Sequence, residues 1–285
     1  MFKINDREIP FKQFPNGETI FPHELFKNLL YRGKPNEVLF KYENDSDLLK
    51  LRFIKKYIDS KVNKNEIINL TITQMPYGRM DRVENGSAFT LEYVADFIND
   101  LKFDKVIVVE PHSNVTSALL HRVENVFVNF DLLPQVIEEI GFDMNEDYIM
   151  FPDAGASKRY SKMIFKNIIV GDKERDFATG EIKGLKLNIS GDGLGAKVII
   201  VDDLSSYGGT FVKSAEALKN AGFDDVYLLV AHAENSIFKG KLFENMKKVF
   251  TTNSLLTDHE NEEYKQFENQ LKVYDIEGVL KNDKN

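Results

Sequence analysis

Lys197-Val198-Ile199-Ile200-Val201-Asp202-Asp203-Leu204-Ser205-Ser206-Tyr207-Gly208-Gly209-Thr210 carries both the fold class and the chemistry. An apolar run of strand length ends in two adjacent carboxylates, and a short loop of hydroxyl residues and two glycines follows. A helical pattern then begins, with Val212, Ala215 and Leu218 on one face and Gly222 at its end. A strand–loop–helix unit aims backbone N–H groups and the positive helix end at the loop, which suits a phosphate. Gly208 and Gly209 let the backbone approach such a group closely. Asp202 and Asp203 can accept hydrogen bonds from vicinal sugar hydroxyls or hold Mg²⁺. The loop is not a Walker A loop, because no Gly-Lys-Ser/Thr follows.

Working outward, apolar runs alternate with helical patterns along the whole chain. Residues 38–42, 67–72 and 105–109 read as strands in the first half, and 148–151, 168–170, 198–201 and 226–230 in the second. Ser46 and Thr90 stand where helix N-caps are expected. Near-continuous apolar strands alternating with helices predict an α/β protein of two similar doubly wound domains with mostly parallel sheets. An internal echo supports the duplication. Ala95, Phe103 and His112 recur at the same offsets as Ala215, Phe223 and His232. The expected division is 1–135 and 136–285.

Composition narrows the class. The 285 residues hold 37 Lys plus Arg against 45 Asp plus Glu, a net charge of −8, which argues against non-specific nucleic-acid binding. The absence of cysteine excludes disulfides, thiolate catalysis and Cys-ligated metals. The charged start of the chain lacks the apolar run of a signal peptide, and no stretch reaches the ~18 apolar residues of a membrane span. The expectation is a cytoplasmic protein with no membrane partner.

Six segments, in order, resemble the ribose-phosphate pyrophosphokinases (PRPP synthetases), a family with the type I phosphoribosyltransferase fold. Phe14-Pro15-Asn16-Gly17-Glu18 is similar to their Phe-x-Asp-Gly-Glu, and Tyr77-Gly78-Arg79-Met80-Asp81-Arg82 to their Tyr-x-Arg-Gln-Asp-Arg. Glu110-Pro111-His112 is similar to Asp-Leu-His, and Pro152-Asp153-Ala154-Gly155-Ala156 to Pro-Asp-x-Gly-Gly. Asp172-Lys173-Glu174-Arg175 is similar to Asp-Lys-Arg-Arg, and the 202–210 loop to the family's ribose-phosphate loop.

The resemblance implies a reaction in which a ribose anomeric hydroxyl attacks the β-phosphorus of Mg-ATP, taking the β,γ-diphosphate and releasing AMP. It implies an ATP side in the first domain, with Phe14, Asn16, Glu18, Arg79, Met80, Asp81 and His112 in contact with the nucleotide. Asp202, Asp203, Ser205, Ser206, Tyr207, Gly208, Gly209 and Thr210 would hold the ribose phosphate. Lys173 and Arg175 are the implied catalytic cations, on a segment, 172–183, whose polarity reads as a mobile loop. His112 and Asp153 are the implied Mg²⁺ contacts, and a homo-oligomer, at least a dimer, is the implied assembly. His23, His121, His232 and His259 read as structural or surface residues.

The departures from the family pattern cluster at the ribose-phosphate loop. Ser206 stands where the family has an acid, and Tyr207 where it has a threonine. An aromatic ring at 207 suits an acceptor larger than ribose 5-phosphate. ADP-ribose has the same anomeric hydroxyl on an extended 5-phosphate, and phage relatives that rebuild NAD⁺ through it (in the host cytoplasm) look like this chain. A non-catalytic, synthetase-associated regulator and a phosphoribosyltransferase that consumes PRPP are the remaining alternatives.

Overall fold

The computed structural model describes residues 1–26, 28–84, 86–175, 182–188, 194–257 and 262–282. The chain divides into two compact units, Met1–Val126 and Phe127–Asn285. The division falls nine residues before the expected 135. Helix α5, Asn129–Ile140, belongs with the second unit, where Asn129 donates to the Tyr160 hydroxyl at 2.7 Å and to the Asp202 carbonyl at 2.8 Å.

In the first unit, β1 (Phe2–Ile4) and β2 (Arg7–Glu8) form an antiparallel edge. A separate hairpin, β3 (Lys12–Gln13) and β4 (Thr19–Ile20), and a short helix α1 (His23–Phe26) follow. The core is then built by β5 (Asn36–Phe40), α2 (Ser46–Lys61), β6 (Ile68–Ile72), α3 (Thr90–Asp100), β7 (Lys105–Val109), α4 (Asn114–Leu119) and β8 (Val123–Val126). The sheet order is β2-β1-β5-β6-β7-β8, with β5 to β8 parallel. Strand β1 was not legible beforehand. Its alternating Phe2 and Ile4 are buried, and the Phe2 ring stacks on Phe40 at 5.0 Å. The apolar positions of α2 and α3, Leu51, Ile54, Ile58, Leu91, Ala95 and Ile98, close the core. Ser46 and Thr90 each turn out to be the first residue of their helix, and neither Asp45 nor Phe89 before them makes a side-chain cap.

The second unit contains β9 (Tyr148–Phe151), α6 (Ala154–Arg159), β10 (Ile168–Arg175), β11 (Ile182–Asn188), β12 (Lys197–Ser205), α7 (Gly209–Asn220), β13 (Asp225–Ala233), α8 (Leu242–Asn245), β14 (Lys248–Thr252), β15 (Leu271–Tyr274) and α9 (Ile276–Asn282). Two 3₁₀ turns, Asn235–Lys239 and Glu262–Phe267, complete it. The sheet order is β11-β10-β9-β12-β13-β14-β15, parallel except for β11 at the edge. Central strands β12 and β13 are apolar on both faces, as a sheet covered on both sides requires. Helix α7 ends in the expected glycine. Gly222 is left-handed at φ 94° and Phe223 N–H bonds back to the Leu218 carbonyl, closing the helix end.

Of the 172–183 segment read as a loop, residues 172–175 and 182–183 are strand, and 176–181 lie outside the described residues. The backbone of β10 continues through Lys173 to Arg175 and pairs antiparallel with β11, Lys173 opposite Leu185. Polar residues sustain a strand there because β11 supplies the ladder hydrogen bonds from its main chain, which needs no apolar side chain.

Candidate functional site

Strand order in the second unit reverses at β9. The chain steps from β9 to β10 on one side, then crosses to β12 on the other. At such a reversal the two connections diverge and leave a crevice beyond the carboxyl ends of the strands. The residues that flank it here are Pro152 and Asp153 after β9, and Asp202 onward in β12.

Asp153 is the N-cap of α6. Its extended backbone (φ −160°) lets Oδ1 accept from Ala156 N–H at 3.0 Å. A side chain at Gly155 would lie 3.1 Å from that same Oδ1, so the small residue keeps the turn open. Helix α6 then presents Arg159, which sequence reasoning did not single out. Its Nη1 donates to Asp202 Oδ1 at 3.1 Å and to Asp203 Oδ1 at 2.9 Å. The Arg159 side chain is only 10 % exposed, and its guanidinium lies 5.7 Å from the Tyr160 ring centroid. Asp203 N–H also donates to Asp202 Oδ1, at 2.8 Å. Burial and then the Asp203 charge push the Asp202 carboxyl well above the usual carboxylate range, while Arg159 and the Asp203 N–H pull it back.

The acids lie inside β12 rather than at its end, because Leu204 and Ser205 still pair with His232 and Ala233. Ser205 is buried, and its carbonyl accepts from Glu234 N–H at 2.9 Å. The chain then turns through Ser206 and Tyr207 to Gly208, left-handed at φ 78°, and α7 begins at Gly209. A Cβ on Gly208 would meet Leu242 Cδ1 at 2.8 Å, whereas one on Gly209 would meet nothing within 4 Å. The segment behind the loop also comes close. A Cβ on Gly240 would crowd the Tyr207 carbonyl oxygen inside the 3.0 Å that real Cβ atoms essentially never breach. The Tyr207 ring itself is 60 % exposed. Thr210 opens the first turn of α7, and its carbonyl accepts from the Ser214 hydroxyl. The loop is thus a braced turn with an open front, ahead of the positive end of a helix.

The backbone of Lys173 and Arg175 runs in β10, where the pairing with β11 shifts register between Glu174 and Arg175. Their side chains lie outside the described residues, as do residues 176–181 of the same segment. His232 is buried and bonded through Nδ1 to the Ser254 hydroxyl at 2.7 Å, in keeping with its structural reading.

In the first unit the candidate residues gather beyond β7. Glu110, 1 % exposed and left-handed at φ 42°, turns the chain into Pro111 and His112. Ser113 caps α4, its hydroxyl accepting from Val115 N–H. Asp81 is buried and takes Arg82 Nε at 2.9 Å. Burial alone would raise its carboxyl. Hydrogen bonds from Ser113 and Arg82, with the Arg82 and His112 charges, outweigh burial and hold it below the usual range. Gly78 packs closely here as well: a Cβ on it would lie 3.8 Å from His112 Cβ. The 77–82 and 110–113 segments therefore form one patch, with Met80 half-buried and Arg79 exposed.

Tyr77 enters that patch left-handed, at φ 59°. Its hydroxyl donates to Asp45 Oδ1 at 2.7 Å, and the Tyr42 hydroxyl donates to the same atom at 2.6 Å. The two phenols hold the Asp45 carboxyl below its ordinary range. The Phe14 turn is a unit of its own. Phe14 N–H bonds to the Glu18 carbonyl, Asn16 Nδ2 donates to Glu18 Oε2 at 2.9 Å, and Gly17 is left-handed at φ 88°. Phe14 is 53 % exposed, so it is not a core aromatic.

The donor set bears on a divalent cation. Among the described residues no three His, Asp or Glu side chains gather into a cage. One Asp153 oxygen is already committed to its helix cap. Magnesium takes oxygen ligands, and Asp153 offers a carboxylate of that kind.

Comparisons with known proteins agree with this architecture. No protein-family model matches the chain. The ribose-phosphate pyrophosphokinase of Sulfurisphaera tokodaii is 27 % identical over 266 residues, spanning 88 % of this chain and 86 % of that protein. The one from Buchnera aphidicola of Schizaphis graminum is 30 % identical over 188 residues, 64 % of this chain and 57 % of that protein. Among solved structures, phosphoribosylpyrophosphate synthetase from Mycobacterium smegmatis superposes with a TM-score of 0.75, covering 98 % of this chain and 90 % of that one, at 20 % identity. The fold is therefore that of the phosphoribosyltransferase-like, two-unit α/β proteins. In sequence the chain is similar to the ribose-phosphate pyrophosphokinases. Among the described residues no helix is long and apolar enough to cross a membrane.

Proposed function

We propose that this chain is an ATP-dependent diphosphotransferase, moving the β,γ-diphosphate of Mg-ATP to the anomeric hydroxyl of ribose 5-phosphate. The observation that carries the reading is the Asp202–Asp203 pair at the strand-order reversal, followed by the left-handed Gly208 and the open N-terminus of α7. The anomeric oxygen forms a bond to the β-phosphorus, and the bond from that phosphorus to the α,β-bridging oxygen breaks. AMP leaves with the electron pair, and the hydroxyl proton passes to solvent.

Phosphoryl transfer of this kind depends on positioning and on neutralising charge spread over phosphate oxygens. The paired acids grip the ribose diol. Ser205, Ser206, Tyr207, Gly209 and Thr210 surround the 5-phosphate at the helix end, whose N–H groups face an anion. Lys173 and Arg175 supply the cations for the transferring diphosphate. Phe14, Asn16, Glu18, Arg79, Met80 and Asp81 form the nucleotide side in the first unit, with His112 near its phosphates. Asp153 in the second unit or His112 in the first would contact the Mg²⁺ of the nucleotide complex, which would neutralise phosphate charge. The protein acts in the cytoplasm as a homo-oligomer.

One observation favours a second acceptor. Tyr207 presents its ring to solvent where the family has a small hydroxyl residue, and an exposed ring is a stacking surface for a base. ADP-ribose carries an adenine beyond its ribose 5-phosphate and has the same free anomeric hydroxyl. Incubation of protein, Mg²⁺ and ATP with each acceptor, with AMP measured by chromatography, separates the readings. AMP released with neither acceptor would point to a regulator without catalysis.

A further inference from the structure

We propose that Arg159 is a positioning residue that sets the orientation of the Asp202–Asp203 pair and, through it, the selection of an acceptor with a complete ribose diol. The inference rests on the acceptor site proposed above and deepens it.

Two adjacent carboxylates, one of them 4 % exposed, repel one another unless a cation lies between them. Nη1 of Arg159 reaches one oxygen of each, Asp202 Oδ1 and Asp203 Oδ1. The Asp203 main-chain N–H binds the same Asp202 oxygen. Asp202 Oδ1 thereby accepts from two protein donors, which fixes the orientation of the carboxylate. Arg159 is itself held: its side chain is nearly buried and rests over Tyr160. The Tyr160 hydroxyl and the Asp202 carbonyl are both tied to Asn129 Nδ2. Arg159 also stands at the last position of the helix that Asp153 caps. One short rigid element thus ties the Pro152–Asp153 turn to the acid pair.

The charge balance supports the geometry. Burial and Asp203 favour a protonated Asp202, and a protonated acid would offer a donor where the diol needs an acceptor. Arg159 opposes that protonation. A residue acting in this way touches no reacting atom, yet it decides whether both ribose hydroxyls find acceptors.

The test uses the full-length chain with Arg159→Met, which keeps volume and removes charge, and Arg159→Lys, which keeps a charge. Steady-state AMP release is measured with ribose 5-phosphate and 2-deoxyribose 5-phosphate, or with ADP-ribose and its distal 2-deoxy form if ADP-ribose is what the wild type turns over. Acceptor binding without ATP is measured by calorimetry. The expected result for Arg159→Met is an acceptor KM and Kd raised roughly 10–100-fold, the loss of a hydrogen bond to a charged group. Its preference for the intact diol over the deoxy form collapses, and its KM for ATP does not change. Arg159→Lys recovers part of both.

Retained discrimination in Arg159→Met overturns the proposal, and so does a KM for ATP that rises in step, since that places the guanidinium on the nucleotide phosphates. If the methionine variant does not fold, Arg159→Lys decides, and undiminished discrimination in it overturns the proposal. Failure of the wild type to release AMP, with acceptor binding still dependent on Arg159, overturns the catalytic reading and leaves the clamp standing.

Discussion

Adding one methyl group to Gly208 or to its neighbour Gly209 has opposite expected consequences. Gly208 is left-handed at φ 78°, a conformation that costs a residue with a Cβ about 1–2 kcal/mol. The new Cβ would also sit 2.8 Å from Leu242 Cδ1 and 3.1 Å from Leu242 Cβ, and Leu242 is fully buried. Overpacking of that kind costs typically 1–3 kcal/mol. Gly208→Ala should therefore lose about 2–5 kcal/mol of stability, read as a fall in the urea midpoint at constant slope. Gly209 has no neighbour within 4 Å of its Cβ position and is the first residue of α7. Alanine there should be neutral or stabilising by up to about 1 kcal/mol, since glycine is the poorer helix residue. Its methyl, however, would enter the open space at that position, beside the proposed binding place of the acceptor phosphate. A misplacement of about 1 Å is enough for roughly a 100-fold loss of rate. Kinetics on Gly209→Ala should show a raised acceptor KM, a lowered kcat and an unchanged KM for ATP. Wild-type acceptor kinetics in Gly209→Ala would refute the placement of the phosphate. Equal stability of the two variants would refute the reading of the turn.

Three further outcomes are expected. Lys173→Ala should lower kcat by at least about 100-fold with an unchanged melting temperature, as removal of a group that neutralises developing charge does, and unaltered turnover would reject its catalytic role. Tyr207→Thr should shift acceptor preference from ADP-ribose towards ribose 5-phosphate, compared as the ratio of kcat/KM values, and a constant ratio would remove the argument for the larger acceptor. Asp81 is held below the ordinary carboxylate range, so the stability it contributes is present above that range and is lost as pH falls through its lower folded value. The stability gap between wild type and Asp81→Asn, followed by urea unfolding from pH 7 down to pH ~2, should narrow below about pH 4; a gap that widens there contradicts the assignment.

What was legible in the sequence was local. Strand β12, the glycine turn and α7 announce themselves within 25 residues, because an apolar run, a required left-handed glycine and a helical face are properties of neighbours in the chain. The interactions that arm the site are not local. Arg159 meets its acids 43 and 44 residues away, and Tyr77 meets Asp45 across 32. Only the folded sheet brings these pairs together, so residue spacing carried no sign of them. The same holds for β1, whose Phe2 and Ile4 sit among charged residues and become a strand only by pairing with β5. It holds for β10, too. Its polar half looked like a loop because the stabilising partner, β11, lies beyond a stretch with no apolar periodicity. The contact of Gly240 with the Tyr207 carbonyl falls in this class as well: a glycine 33 residues after the loop is needed because backbone passes close behind it.

Release of AMP from Mg-ATP in the presence of each acceptor tests the central claim most directly. The reaction should give AMP and the acceptor diphosphate in equal amounts with ribose 5-phosphate or ADP-ribose, and none when Mg²⁺ or the acceptor is withheld. AMP formed at the same rate without any acceptor, or none formed with either, would contradict the account.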